Sequence, residues 1–109
     1  MKHIGQYEEL SPGKGFDSMK LHFNVKPYPG QAEIIHYLRN GTPEMISMKS
    51  HKDIFTGKVI APSMLCRSDG TYLWQEILAY YVSKYNLRLP RDFEEHILKK
   101  TKREKEDIL

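Results

Sequence analysis

The sequence feature that most constrains this chain is a stripe of large apolar and aromatic side chains in its C-terminal third. The stripe recurs at spacings of three and four residues, and its members are Trp74, Ile77, Leu78, Tyr81, Val82 and Tyr85. That spacing places the side chains on one side of an α-helix, which persists only when that side packs against a core. We therefore predict a helix from about residue 75 to Asn86. Trp74, Tyr81 and Tyr85 are its core anchors, and a ligand-stacking box built from the same rings is the alternative.

A tight turn directly precedes this helix. Asp69-Gly70 is a favoured two-residue hairpin turn, because both central positions of a type I′ turn require a positive φ. Apolar residues flank the turn on both sides, at 64–66 and at 72–74. The sequence thus predicts a hairpin that leads into the helix, with Asp69 and Gly70 as structural anchors.

Residues 19–26 alternate without error between two kinds of side chain. Met19, Leu21, Phe23 and Val25 are apolar, whereas Lys20, His22, Asn24 and Lys26 are polar. A period of two is typical of a strand with one buried face and one solvated face. The solvated face then carries Lys20, His22 and Lys26, a basic strip that we take as a candidate binding surface.

The period changes to that of a helix after a short link. Residues 31–39 repeat with helical spacing, and Asn40-Gly41 is a good stop signal. The segment 42–67 is less regular, although residues 45–48 predict a short strand and Thr56-Gly57 predicts the turn of a hairpin. Together these patterns predict an α+β fold, with a small, mostly antiparallel sheet and about three helices, two of them C-terminal.

The two ends of the chain differ from its middle. Pro90 suits the first position of a last helix, and Phe93 faces the core from that helix; both are structural anchors. Residues 99–109 are charged and carry no apolar stripe, so they are predicted to be a helix extension or a tail. Residues 1–17 are rich in turn residues and are predicted to be a flexible N-terminal arm. The single domain then spans residues 18–98.

Three segments of the C-terminal third resemble a family of small bacterial proteins. That family combines an Asp-Gly-x-aromatic-x-Trp turn with a Tyr/Val-rich helix and a Leu-Pro-x-x-Phe segment. The matching residues here are 68–74, 78–82 and 89–97. A proline often follows the tryptophan in the family, whereas Gln75 follows it here, and this departure bears on where the helix starts. The resemblance implies a bacterial origin and a modular fold unit; the family has no settled activity to carry over.

No residues have the spacing of a known catalytic or metal site. The five histidines are scattered at positions 3, 22, 36, 51 and 96, and His51-x-Asp53 is the closest pair of potential ligands. Cys66 is the one cysteine, which excludes an internal disulfide and leaves a thiolate–imidazole pair with a distant histidine as a route to catalysis. Neighbouring carboxylates such as Glu94-Glu95 diverge on a helix and cannot flank one bond. We expect no metal and no cofactor.

Composition narrows the function classes only partly. Lys+Arg is 17 and Asp+Glu is 14, so the net charge is 17 − 14 = +3, too small to indicate a nucleic-acid binder on its own. No apolar run has the length of a signal segment or a membrane span, and a lone cysteine suits a reducing compartment, so we expect a cytoplasmic protein. Tyr37, Tyr72 and Tyr80 fall outside the clearest core stripes. Because tyrosine is enriched in recognition surfaces, these three join the basic strip as candidate binding residues.

Three functions stay open from the sequence. The first is a small non-catalytic binding or accessory protein that acts through protein–protein contacts, such as an immunity-type inhibitor or a partner subunit. The second is a weak nucleic-acid binder, and the third is a small enzyme whose site combines distant Cys and His residues. Under the first hypothesis the partner is another protein, and a homo-oligomer is also compatible with it.

Overall fold

A four-stranded sheet and three α-helices enclose one hydrophobic core in this computed structural model, which describes residues 1–108 and the side chains through residue 106. The strands are β1 (Lys2–Ile4), β2 (Thr42–Ser47), β3 (His51–Lys52), β4 (Val59–Ala61), β5 (Met64–Ser68) and β6 (Tyr72–Gln75). The α-helices are α1 (Gln31–Arg39), α2 (Leu78–Tyr85) and α3 (Arg91–Ile108), and a 3₁₀ helix covers Met19–His22. The predicted α+β fold with two C-terminal helices is confirmed.

The main sheet has the strand order β1-β6-β5-β2. The pairs β2·β5 and β5·β6 are antiparallel, whereas β1 runs parallel to β6. The strands β3 and β4 form a separate antiparallel ribbon. Because β2 is the last strand in the order, one of its two edges has no strand beside it in the described part of the chain.

Trp74 joins the sheet to the helices. Its side chain is 1% exposed, and its indole N–H donates to the carbonyl of Leu38 at the end of α1 (2.9 Å). The ring packs against Phe93 of α3 and Tyr37 of α1, at centroid distances of 5.5 and 5.7 Å. A Cβ at Gly41 would lie 2.6 Å from Cζ2 of the indole. Gly41 therefore follows α1 because the indole leaves no room for a side chain there.

The strand predicted over residues 19–26 is wrong. Met19–His22 is a 3₁₀ helix, and the Ser18 hydroxyl caps it by accepting from the N–H of Lys20 (3.1 Å). The apolar residues of this segment do not form one buried face, since Leu21 is 72% exposed and Val25 is 94% exposed. Local capping satisfies the start of the 3₁₀ helix, and the one strand-like contact of this segment is a bridge between Phe23 and Leu87. Around this bridge the N–H of Asn24 donates to the Asn86 carbonyl and the N–H of Arg88 donates to the His22 carbonyl. The predicted basic strip consequently does not lie on a strand.

The predicted division at residue 18 is also corrected. Residues Lys2–Ile4 form β1, which pairs in register with Tyr72, Leu73 and Trp74 of β6. Ile4 and Tyr7 are buried in the core. Parallel pairing with a strand seventy residues away leaves no local pattern, so the sequence around residues 1–17 did not indicate it.

The hairpin before α2 exists, but its turn lies one residue later than predicted. Asp69 and Tyr72 close the loop, because the Asp69 N–H donates to the Tyr72 carbonyl (3.2 Å), and Gly70 alone has a positive φ, of 91°. The helix starts at Leu78, not near residue 75, because Gln75 still pairs with Cys66 in the sheet. It ends as predicted, with the C-cap residue Asn86 in the left-handed region at φ 58°.

Smaller differences concern the other elements. The hairpin around Thr56-Gly57 has its strands at His51–Lys52 and Val59–Ala61, so Ile54 and Phe55 lie in the turn. Pro90 directly precedes α3 and accepts from the N–H groups of Phe93 and Glu94. The predicted charged extension continues α3 to Ile108, and Leu109 lies outside the described residues. Among the helices described, none has the length and apolar character needed to cross a membrane.

The contact between Gly41 and the indole generates a stability prediction. Gly41→Ala should destabilise the fold by about 1–3 kcal/mol, because the new methyl group meets the buried ring and the Ser68 carbonyl. The measurement is the free energy of unfolding in urea. Thr42→Ala, at the exposed neighbouring position, is the control and should change stability by less than about 0.5 kcal/mol. A Trp74→Phe background should reduce the Gly41→Ala penalty, and equal penalties in both backgrounds would contradict the proposed clash.

Candidate functional site

The exposed edge of β2 is the candidate functional site. All six residues of Thr42–Ser47 are exposed, although the strand is paired with β5 on its inner side except at the bulge between Pro43 and Met45. A strand at a sheet edge presents a row of unpaired N–H and C=O groups, which are a template for pairing with another chain. No other described strand pairs with this edge of the sheet.

The hydrogen-bonding pattern shows which backbone groups of β2 point outward. The Leu65 carbonyl accepts from the N–H of Glu76, so the backbone groups of Leu65 face β6. Ile46 lies opposite Leu65 in the register. Because hydrogen-bonded and non-hydrogen-bonded pairs alternate in an antiparallel ladder, the N–H and C=O of Ile46 point away from β5. Those of its neighbours Met45 and Ser47 face β5.

Apolar side chains accompany these open backbone groups. Met45 is 59% exposed, Ile46 is 61% exposed and Met48 is 85% exposed. Met45 and Ile46 are neighbours in one strand and so leave opposite faces of the sheet. The strand therefore offers apolar surface on both sides of its free edge. Lys49 and Lys52 follow it as exposed cations without a salt bridge to any residue through 106.

Polar contacts at the base of β2 hold the strand against the domain. Arg67 of β5 donates to the Gly41 carbonyl (2.7 Å) and to the carboxylate of Glu76 (2.6 Å). The buried Ser68 hydroxyl donates to the Glu44 carboxylate (2.6 Å). A bulge between Pro43 and Met45 shifts the register at this point. The base of the strand is thus fixed, while the side chains of Met45 and Ile46 beyond it are exposed.

Asp69, predicted as a turn anchor, is the centre of a polar cluster. Its carboxylate accepts from the Tyr37 hydroxyl (2.5 Å), lies 2.9 Å from Nε2 of His96, and accepts from the N–H groups of Thr71 and Tyr72. Burial acts to raise the pKa of Asp69, but these hydrogen bonds outweigh it and lower the pKa to about 2. The cluster ties the β5–β6 turn to α1 and α3.

Asp53 is the centre of a second cluster, which the sequence did not reveal. It is buried and accepts hydrogen bonds from the Tyr80 hydroxyl, from the Tyr85 hydroxyl (2.7 Å) and from two backbone N–H groups, those of Phe55 and Thr56. Burial acts to raise the pKa of the carboxyl, but the hydrogen bonds hold it well below its ordinary value. Lys84 lies 3.8 Å away. The cluster fastens the β3–β4 ribbon to α2.

His51 belongs to this second cluster through a different partner. Its Nε2 lies 2.7 Å from the Tyr81 hydroxyl, which also accepts from the N–H of Ile54 (3.2 Å). Burial lowers the pKa of His51, with Asp53 acting in the opposite direction, and burial raises the pKa of Tyr81 to about 12. His51 and Asp53 therefore do not form a ligand pair, since each has its own hydrogen-bond partners.

The six predicted binding residues do not meet on one surface. Tyr37 and Tyr72 are half-buried and both pack against His96, whereas the half-buried Tyr80 binds Asp53. Lys20, His22 and Lys26 are exposed in the segment from the 3₁₀ helix to α1, where the Lys20 ammonium lies 5.6 Å from the Phe55 ring centroid. The three tyrosines thus make contacts within the fold. The anchors Trp74, Tyr81 and Phe93 are buried, and Tyr85 is half-buried.

The groups that an enzyme would need are not brought together. Cys66 and His3 line the same cavity of about 210 Å³, but no hydrogen bond joins the thiol to a histidine among the described residues. Burial raises the pKa of the Cys66 thiol, which disfavours the reactive thiolate. In the described part of the chain, no three His, Cys, Asp or Glu side chains are grouped closely enough to hold a metal ion.

Comparison with known proteins adds no relative to this description. No protein-family model, no curated protein and no solved structure matches the chain.

The Asp53 cluster generates a pH-dependent stability prediction. Tyr80→Phe removes one hydrogen bond to a buried carboxylate and should destabilise the fold by about 1.5–3 kcal/mol at neutral pH. The pKa of Asp53 is lower in the folded state, so its stabilising contribution is complete above about pH 4 and is lost as the pH falls through the folded value. The difference between variant and parent should therefore shrink in acid.

Urea unfolding at neutral pH and in steps down to about pH 2 measures both effects, since the difference shrinks only as the pH approaches the folded pKa of Asp53. Tyr72→Phe is the matched control, because the Tyr72 hydroxyl makes no hydrogen bond in the described part of the chain. A Tyr80→Phe penalty no larger than the control's, or one that grows in acid, would contradict the role given to Asp53.

Proposed function

We propose that this chain is a small, non-catalytic binding or accessory protein that recognises another protein by β-strand addition at β2. The observation that carries the proposal is the open edge at Ile46, with exposed apolar side chains on both faces of the strand. In strand addition, backbone hydrogen bonds supply affinity and alternate side chains supply specificity. Both components are available at β2 without any rearrangement of the core.

The surroundings of the edge define the chemistry of the partner. The partner contributes an extended segment whose alternating apolar residues cover Ile46 and Met48 on one face of the strand, while Met45 lies on the other face. We expect the partner segment to carry acidic residues opposite Lys49 and Lys52, beyond the end of β2, since opposite charges across an interface favour association. An antiparallel partner strand would place its acidic residues at its N-terminal end.

An immunity-type inhibitor or a partner subunit in a bacterial cytoplasm is the setting that we propose for this activity. The lone cysteine supports a reducing compartment. No hydrogen bond joins the Cys66 thiol to a histidine among the described residues, which supports a binding role over the enzymatic alternative. The burial of Trp74 supports scaffolding over a ligand-stacking box.

A peptide titration tests the proposal. The probe is the blocked hexapeptide Glu-Val-Thr-Val-Thr-Val. Its binding is monitored through the amide and methionine-methyl NMR shifts of the labelled protein. We expect saturable shifts at Ile46 and Met48, with a Kd in the roughly millimolar range expected for a short unoptimised strand. A peptide with Lys in place of Glu should bind several-fold more weakly because it faces Lys49 and Lys52.

Two variants of one residue separate edge recognition from general adhesion. Ile46→Pro removes the outward N–H, at a position where an edge strand tolerates proline, and should abolish the shifts. Ile46→Ala keeps that N–H and should retain weakened binding. Binding that survives Ile46→Pro in a folded protein would refute strand addition, as would shifts located elsewhere on the domain.

A further inference from the structure

A row of basic side chains lies along one side of α3. His96, Lys99, Lys100 and Arg103 recur at spacings of three, one and three residues, which places them on one helical face. Together they form the entire lining of an open groove of about 280 Å³. We call this groove the α3 cleft. No acidic side chain lines it.

Contacts at the N-terminal end fix the geometry of the cleft. His96 is held by Asp69 (2.9 Å), and its ring packs against Tyr72 at a centroid distance of 4.9 Å. The Lys100 ammonium lies 5.7 Å from the ring centroid of Tyr37, whose hydroxyl binds the same Asp69. Two of the four lining residues are thus oriented by the Asp69 cluster and not only by the helix.

The three cations of the cleft are not paired with described carboxylates. Lys99, Lys100 and Arg103 make no salt bridge with any residue through 106. Three cations within one and a half helical turns raise the local positive potential and favour an anion of more than one charge. An adjoining groove, lined by Asp69, Glu104 and Lys100 together with hydrogen-bonding side chains, has acidic groups instead.

The extent of the charged row decides between a compact anion and a nucleic-acid strand. The row from His96 to Arg103 is only about 10 Å long at the α-helical rise per residue. Besides His96, the whole of α3 carries six Lys and Arg residues and six Asp and Glu residues, and Asp92 precedes the row by one turn. A nucleic-acid groove needs cations along several phosphates and stacking aromatic rings beside them. The cleft has room and charge for one phosphate group.

We propose that the α3 cleft binds the phosphate group of a phosphomonoester through Lys99, Lys100 and Arg103. The guanidinium of Arg103 can donate two parallel hydrogen bonds to phosphate oxygens, and the two ammonium groups add point charges around them. The phosphomonoester belongs either to a small molecule or to a phosphorylated residue of a protein. This inference is independent of strand addition at β2.

An NMR titration of the full chain at about pH 7.5, where a phosphomonoester is a dianion, tests the proposal. The probes are glycerol 3-phosphate and a short phosphoserine peptide beside its unphosphorylated form, at constant ionic strength set with NaCl. Saturable shifts of the amides from His96 to Arg103 are expected, with a Kd in the roughly millimolar range. Tighter binding of the phosphopeptide identifies a protein source of the phosphate, and equal binding identifies a small molecule.

Matched double variants on the same helix are the control. Lys99→Gln with Arg103→Gln should weaken glycerol 3-phosphate binding at least about tenfold. Lys102→Gln with Lys105→Gln removes the same total charge outside the cleft and should leave binding within about twofold. Equal losses in the two pairs, or shifts that never saturate, would overturn the site. Binding of oligothymidylate that strengthens with its length would overturn it in favour of nucleic acid.

Discussion

The burial of one indole ring in the space left by one glycine determines how the two halves of this fold meet. Trp74 reaches from the sheet to the last turn of α1 and to α3, and Gly41 allows the chain to pass against the ring. Residue 41 directly precedes β2, so the same contact fixes where the edge strand leaves the core. The exposed strand is therefore attached at a rigid point, with Arg67 binding the Gly41 carbonyl beside it.

The elements that could be predicted from sequence are those with strong local signals. The helix over residues 31–39, the stop at Asn86, the hairpin before α2 and the last helix all depend on spacing, caps and turns within a few residues. The error at residues 19–26 has the opposite cause. A period of two indicates a strand only when a neighbouring strand is available, and here Ser18 and Glu9 satisfy the backbone of a 3₁₀ helix instead. The β1 strand was missed because its partner is far away in the sequence.

The candidate site could be predicted only in part. Residues 45–48 indicated a short strand, but not that it lies at an edge, since strand order depends on contacts between distant segments. The available signal was that apolar residues occupy both odd and even positions of that strand. A strand with one buried face alternates between apolar and polar residues, so this pattern did not indicate a half-buried strand. Two of the tyrosines chosen for recognition, Tyr37 and Tyr80, are held inside the fold as phenols that donate to the carboxylates of Asp69 and Asp53. Side-chain networks of this kind join residues about thirty positions apart and leave no periodic trace.

Binding at β2 requires that its outer edge is open in solution while its inner edge is paired. Amide hydrogen exchange, measured residue by residue, tests this most directly. The N–H of Ile46 should exchange nearly as fast as in an unfolded chain, whereas those of Met45 and Ser47 should be slowed by more than about tenfold. Equal protection of all three amides would mean that the edge is already covered, and equal exposure of all three would mean that the strand is not formed; either result would contradict an open binding edge.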